Sequence, residues 1–281
     1  MEKESLNRLS MLSHPQRLAV FRLLMRRYPD EVPAGEIADA LMLKASTTSV
    51  YLSALNDSGL IVQHRVGTSL RYRARIEAAG ELIGFLFTDC CRGRPELCPP
   101  SLFSGLKGAK TMADTTYNVL FICTGNSARS IFAEAILRDL EGSRFNAYSA
   151  GTKPGSELNP LAIEMLTSKG HDTSNLRAKH ISEFQSPEAP KMDFVFTVCN
   201  RAANEDCPAW EGQPISGHWG LPDPVKATGS LAERRLAFQQ TYGAMNNRIK
   251  AFAALPLQTH NRISLQAAVD DIGADHLEGT A

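Results

Sequence analysis

The stretch Asn118-Val119-Leu120-Phe121-Ile122-Cys123-Thr124-Gly125-Asn126-Ser127-Ala128-Arg129-Ser130 decides how the larger part of this chain folds. Its first six residues form a short apolar run bounded by a Gly-containing loop, which predicts a buried strand. From Arg129 to Leu140 the apolar residues recur at helical spacing. The stretch therefore reads strand, loop, helix. A Cys-x5-Arg-Ser pattern would arise by chance about 0.03 times in a chain of this composition.

The chemistry accounts for the spacing. Thr124, Gly125, Asn126, Ser127 and Ala128 can wrap their backbone N–H groups around a tetrahedral oxyanion, with the helix dipole adding positive charge. Arg129 closes the ring as a bidentate clamp. That field is expected to lower the pKa of Cys123, so that its thiolate attacks the bound centre. Ser130 can donate a hydrogen bond to the thiolate.

Working outward, strands and helices alternate. Strands are predicted over Phe145 to Ala150, Asp193 to Cys199 and Pro214 to Trp219, with helices over Pro160 to Lys169 and Leu231 to Ala254. Such alternation implies an α/β domain with a parallel sheet and helices on both faces. The tail from about Pro256 is polar and is expected to be loosely ordered.

The part before residue 99 reads as mostly helical. Leu18, Phe21, Leu24 and Met25 form a stripe after His14-Pro15, and Tyr28-Pro29 stops it. A short helix over Ala34 to Leu41, a three-residue break and a helix from about Ser46 to Asn56 follow, with Ser46 the expected N-cap. Two short segments, Leu60 to Arg65 and Leu70 to Ala74, flank Val66-Gly67-Thr68-Ser69 as a hairpin. A last helix is expected from Ile76 to Cys91. Two helices and a basic hairpin make a winged helix-turn-helix, mostly α with a β-hairpin wing. In such a unit the second helix enters the major groove of operator DNA. The residues expected at the bases are Ser46, Thr47, Thr48, Ser49 and Tyr51, and Arg65, Arg71, Arg73 and Arg75 would neutralise phosphates.

Length and composition agree with two domains. The chain has 281 residues, 43% hydrophobic and 21% charged, which excludes a disordered or collagen-like chain. Pro, Gly, Ser and Thr crowd residues 99–116, the expected linker between a domain at 1–98 and one at 117–255, with the tail at 256–281. No stretch reaches about 18 apolar residues, and the N-terminus lacks a secretory pattern, so a cytoplasmic protein with no membrane partner is expected. The net charge of zero hides an asymmetry. Residues 1–110 carry 15 Lys and Arg against 11 Asp and Glu (+4), and the remainder 15 against 19 (−4).

Six cysteines occur, at 90, 91, 98, 123, 199 and 207. In a reducing compartment such thiols are more often ligands or catalysts than disulfides. Cys90, Cys91 and Cys98 lie in DCCRGRPELC, where Gly93 and Pro95 break the helix and let the third thiol fold back. Three thiolates suit a soft, three-coordinate ion such as As(III).

Two family resemblances follow from these motifs. The Cys123 loop opens a domain that resembles the low-molecular-weight protein tyrosine phosphatases, and more closely the arsenate reductases built on that fold. Tyr148-Ser149-Ala150-Gly151-Thr152, Phe196-Thr197-Val198-Cys199 and His218-Trp219-Gly220-Leu221-Pro222-Asp223-Pro224 carry the comparison over about residues 117–255. The resemblance implies that Cys123 attacks arsenate held by the loop and Arg129 while Asp223 protonates the departing water. Cys199 then releases arsenite, and Cys207 resolves it as a Cys199–Cys207 disulfide that thioredoxin or a glutaredoxin reduces. No tightly bound cofactor is implied. Val225-Lys226-Ala227-Thr228 replaces the aromatic residues that a phosphatase of this family carries after Asp-Pro, and the extra thiols favour a reductase. Thioredoxin-coupled relatives often have cysteine where this chain has Ala128. Some relatives also bind potassium beside the loop. Asn126, Glu134 and Ser149 match three of its ligands, and His180 or Lys179 stands in place of the acidic fourth.

LMLKASTTSVYLSALNDSGLI, residues 41–61, resembles the helix-turn-helix of the ArsR-type arsenic- and metal-responsive repressors, with Tyr51 where that family has histidine. This resemblance spans residues 5–98 and implies a homodimer built on the domain's first and last helices, with the three thiols as an arsenite sensor. The expected whole is an arsenic-resistance fusion of repressor and reductase. The alternatives are a phosphatase of the same fold joined to a metal- or redox-sensing repressor, and a purely regulatory chain whose catalytic domain is vestigial.

Overall fold

The computed structural model describes residues 2–92, 94, 116–205, 210, 212–258 and 262–274. The chain divides into two compact units, Met1–Ser104 and Gly105–Ala281. The expected linker lies almost wholly outside the described residues.

The first unit is helical with a small antiparallel sheet. Helices α1 (Glu2–Leu12), α2 (Pro15–Arg26), α3 (Ala34–Ala40), α4 (Ala45–Asp57) and α5 (Ile76–Phe85) surround strands β1 (Val32–Pro33), β2 (Ile61–Val66) and β3 (Ser69–Ala74), in the sheet order β1-β3-β2. Pro15 starts α2 because its fixed φ suits a first turn, and the His14 side chain accepts from the Gln16 N–H at 3.3 Å. The hairpin pairs Ile61 with Ala74 and Val66 with Ser69, and Gly67 supplies the positive φ of +59° that its turn needs. Val20, Leu23, Leu24, Ile37, Leu52, Leu55, Leu60 and Tyr72 form one apolar cluster. The sequence pattern announces neither α1 nor β1.

Two boundaries differ from expectation. Lys44, not Ser46, is the N-cap of α4, and no side chain caps that end. Ser46 therefore sits inside the first turn. The last helix ends at Phe85 and gives way to a wider π-turn over Leu86–Cys90, short of the expected end at Cys91.

In the second unit β4 (Tyr117–Cys123), β5 (Phe145–Gly151), β6 (Phe194–Thr197) and β7 (Ile215–His218) form a parallel sheet in the order β5-β4-β6-β7. Strands β6 and β7 are shorter than the segments expected from the sequence, and β5 extends to Gly151. Helices α6 (Arg129–Glu141), α7 (Pro160–Ser168), α8 (Asn200–Asn204), α9 (Leu231–Ala253) and α10 (Arg262–Ala274) complete the unit. The core is aromatic, with Phe196 stacked on Trp219 at 3.9 Å between centroids and Phe252 edge-on to both.

The chain leaves β4 towards β5 on one side and later returns to β6 on the other. Strand order thus reverses between β4 and β6, the place where open parallel sheets bind ligands beyond their carboxyl ends. Ile122 pairs with Thr197, so Cys123 and Cys199 emerge from adjacent strands at that point.

The tail corrects an expectation. Residues 262–274 form α10, which packs on β7 and buries Leu265, Val269 and Ile272. These positions are spaced three and four apart and so share one face of the helix. Gly217 makes the packing possible, since a Cβ there would lie 2.6 Å from Val269 Cγ1. Among the described residues no helix is long and apolar enough to cross a membrane.

Candidate active site

Cys123 ends β4, residues 124–128 form the loop, and Arg129 begins α6. The Cys123 thiol is buried, 2.9 Å from Ser130 Oγ, and accepts from the Asn126 N–H at 3.0 Å. Asn126 adopts φ +46°, a left-handed conformation that Asn tolerates better than most residues. Its fully buried side chain donates from Nδ2 to Ser130 Oγ (2.9 Å) and Ser149 Oγ (2.8 Å) and accepts from the Lys179 N–H (2.6 Å). Gly151 lets the end of β5 pass behind the loop, because a Cβ there would meet the Thr124 carbonyl at 2.7 Å.

Burial and the neighbouring Cys199 push the Cys123 thiol up, opposed by the Ser130 hydrogen bond, the Arg129 charge and the Asn126 N–H. This corrects the expectation of a lowered pKa. Desolvation of an ionised thiol outweighs the stabilising groups in the closed loop. Those opposing groups are the ones that must carry the thiolate.

Arg129 Nη1 donates to the Leu221 carbonyl at 2.9 Å, and Nη2 lies 2.9 Å from Asp223 Oδ2. The structure thus brings Asp223 to the loop from the segment after β7, a proximity that its Pro-Asp-Pro context alone does not distinguish from a turn. The Leu221 carbonyl is a partner that sequence reasoning misses, for a backbone acceptor leaves no signal in residue type.

Cys199 follows β6, is buried, and lies 3.5 Å from Thr124 Oγ1. Its Sγ accepts from the Ala202 N–H at 3.4 Å at the start of α8. His218 is buried between Thr197 Oγ1 (2.7 Å) and Asn200 Oδ1 (3.3 Å) and ties the end of β7 to that turn. Cys207 lies outside the described residues.

Behind the loop, Glu134 accepts from Ser149 Oγ and, at 2.8 Å, from Lys179 Nζ. These residues do not fit a potassium ion, because the ammonium already occupies the one carboxylate of the matched set. His180 turns elsewhere, to Ser182 Oγ and the Thr152 carbonyl.

In the first unit, Ser46 and Ser49 are exposed on α4 and Thr47 and Tyr51 are half-buried; Tyr51 OH donates to Gln16 Oε1 at 2.5 Å. Thr48 is buried, with its Oγ1 bonded to the Lys44 carbonyl at 3.1 Å, so it faces the core and is withdrawn from the expected base-reading set. On the hairpin Arg65 is exposed and Arg71 and Arg73 are half-buried. Cys90 is exposed and Cys91 half-buried at the π-turn, while Cys98 lies outside the described residues. Among the described residues no group of three or more His, Cys, Asp or Glu is placed to hold a metal ion.

Residues 118–263 match the family model of the low molecular weight phosphotyrosine protein phosphatases. Proteins named arsenate reductase from Oceanobacillus iheyensis and Bacillus subtilis are each 36% identical to this chain over 135 residues, covering 48% of this chain and 94% of theirs. A solved thioredoxin-dependent arsenate reductase from Corynebacterium glutamicum is 22% identical, covering 77% of this chain and 90% of its own, with a TM-score of 0.37.

Proposed function

The chain belongs to the low molecular weight phosphotyrosine protein phosphatase family, and from that premise we propose that its second unit reduces arsenate to arsenite. The observation that carries the reading is a second buried thiol, Cys199, held by Thr124 of the oxyanion loop itself. Hydrolysis of a phosphate ester has no use for it. Identity of 36% to arsenate reductases over nearly their whole length supports the same conclusion.

In the proposed reaction the Cys123 thiolate attacks As(V), and one arsenate oxygen leaves as water with a proton from Asp223. Cys199 then attacks the Cys123 sulfur. The S–As electron pair passes to arsenic, which departs as As(III), and two thiols become a disulfide. Attack by Cys207 on the Cys199 sulfur frees Cys123 and leaves Cys199–Cys207, which a dithiol of the thioredoxin or glutaredoxin class reduces by exchange. The test is NADPH oxidation with arsenate, thioredoxin and thioredoxin reductase. Turnover that depends on all three supports the assignment, whereas hydrolysis of p-nitrophenyl phosphate without arsenate turnover sinks it.

The first unit is assigned as an arsenite-responsive, DNA-binding repressor acting as a homodimer. Support comes from α3 and α4 followed by an Arg-rich antiparallel hairpin, and from the Cys90/Cys91/Cys98 cluster in the sequence. Fluorescence anisotropy with fragments of the upstream promoter, with and without arsenite, tests it. Binding that arsenite does not release excludes the sensor role.

A further inference from the structure

We propose that the Lys179 ammonium is a built-in monovalent cation, tethered behind the oxyanion loop in place of the potassium ion that some relatives bind there. The ammonium holds the loop whichever oxyanion the loop takes.

Five polar side chains are nine-tenths or more buried there: Asn126, Ser130, Glu134, Ser149 and Lys179. They form one continuous network. Lys179 Nζ donates to Glu134 Oε2 at 2.8 Å, and Ser149 Oγ donates to the same oxygen. Asn126 Nδ2 donates to Ser149 Oγ (2.8 Å) and Ser130 Oγ (2.9 Å), and Ser130 Oγ meets Cys123 Sγ at 2.9 Å. Lys179 grips this network twice, since its backbone N–H also donates to Asn126 Oδ1 at 2.6 Å.

The donor chemistry explains why one cation belongs here and two do not. A buried carboxylate without a counter-charge carries a heavy desolvation penalty, so Glu134 requires a cation. Asn126 Oδ1, Glu134 Oε2 and Ser149 Oγ would offer oxygens to a free ion. In this chain the Lys179 ammonium pairs with Glu134, and the Lys179 N–H uses Asn126 Oδ1. A second cation would share that carboxylate with a fixed positive charge in a poorly screened interior. A tethered ammonium also needs no ion from solution, so the left-handed turn at Asn126 is held at any salt composition.

Both tryptophans of the chain, Trp210 and Trp219, lie in the second unit, so tryptophan emission follows its unfolding without a contribution from the first. The experiment compares full-length protein in KCl and in choline chloride of equal ionic strength, with thallous ion as a potassium surrogate read by thallium NMR. The wild-type midpoint should differ by less than about 1 °C between the salts, and thallous ion should not bind. Lys179→Ala should lower the midpoint in choline chloride by about 10 °C, recover part of that loss saturably in KCl, and bind thallous ion. Lys179→Arg keeps a cation and should remain indifferent to potassium. Saturable stabilisation of the wild type or of Lys179→Arg by potassium overturns the proposal. So does a Lys179→Ala protein that folds and ignores potassium. Should Lys179→Ala not fold, the wild-type and Lys179→Arg arms still decide the question.

Discussion

Arg129 reaches Asp223 with Nη2 at 2.9 Å from Oδ2, while its Nη1 is held by the Leu221 carbonyl at 2.9 Å. The proposed oxyanion clamp at the start of α6 and the proposed acid after β7 are therefore positioned by one short segment, residues 221–223. The Asp223 side chain is more open to solvent than that of Arg129, 27% exposed against 11%. Asp223 Oδ1 also accepts from the Val225 N–H at 3.3 Å, so the carboxyl is oriented from both sides.

Asp223→Asn should keep an acceptor for Arg129 but remove the transferable proton. Turnover of arsenate is expected to fall about 10²- to 10⁴-fold, the usual worth of a positioned acid, with a much smaller change in KM. Steady-state assays with saturating thioredoxin measure both. An Asn variant retaining more than about a tenth of wild-type turnover would mean that the proton comes from elsewhere.

The thiols should separate by step. Cys123→Ser is expected to abolish turnover, leaving less than about one part in a thousand, since a serine hydroxyl is a far weaker nucleophile than a thiolate at neutral pH. Cys199→Ser and Cys207→Ser should each block multiple turnover yet still form the Cys123 adduct once. Rapid quench, alkylation of remaining thiols and mass spectrometry distinguish these cases. Either single variant cycling at the wild-type rate would remove that cysteine from the relay.

The parts of this site legible in the sequence are those fixed by local chemistry. Cys-x5-Arg-Ser between an apolar run and a helical period announces the loop, because backbone N–H groups at a helix start leave few residue choices. The partners of that loop come from far along the chain. Lys179, Leu221 and Asp223 follow Cys123 by tens of residues, and only the sheet order and the close passage at Gly151 bring their segments to it. The ionisation of Cys123 escapes sequence reasoning for the same reason. Its stabilising groups are local and visible, whereas its burial is a tertiary property. Helix α10 is hidden because its larger apolar residues, Leu265, Val269 and Ile272, give a weak stripe until β7 supplies the surface they cover.

On the first unit, the hairpin arginines offer a test that does not depend on knowing the operator's bases. Replacing Arg71 and Arg73 with Ala should weaken binding to every duplex and make the slope of log K against log salt shallower by about 0.9 for each phosphate no longer neutralised. Anisotropy titrations at several salt concentrations measure the slope. Weaker binding with an unchanged slope would place the defect in folding of β3, where Arg71 pairs with His64 and Arg73 with Val62, and not in phosphate binding.

Asp270 on α10 ties the docking of that helix to pH. Burial against the sheet, together with the nearby Asp271, pushes its carboxyl up to about 6, although Gln266 donates to it at 2.9 Å. In the unfolded chain the group titrates near the ordinary Asp value of about 3.9. The folded state therefore binds more protons between about pH 4 and 6, and stability falls as pH rises through that window. The shift corresponds to about 3 kcal/mol at full strength, and solvent screening of this half-buried group reduces it to about 1–2 kcal/mol. Trp219 Nε1 donates to the Val269 carbonyl at 3.1 Å, next to Asp270, so tryptophan emission reports the docking of the helix. Asp270→Asn should stabilise the second unit by about 3–6 °C at pH 7.5 and by almost nothing at pH 4. Taking the difference between variant and wild type at each pH cancels the titration of every other group. A difference that is flat from pH 4 to 7.5, or larger at the acid end, would show that Asp270 ionises freely and that α10 docks without that penalty.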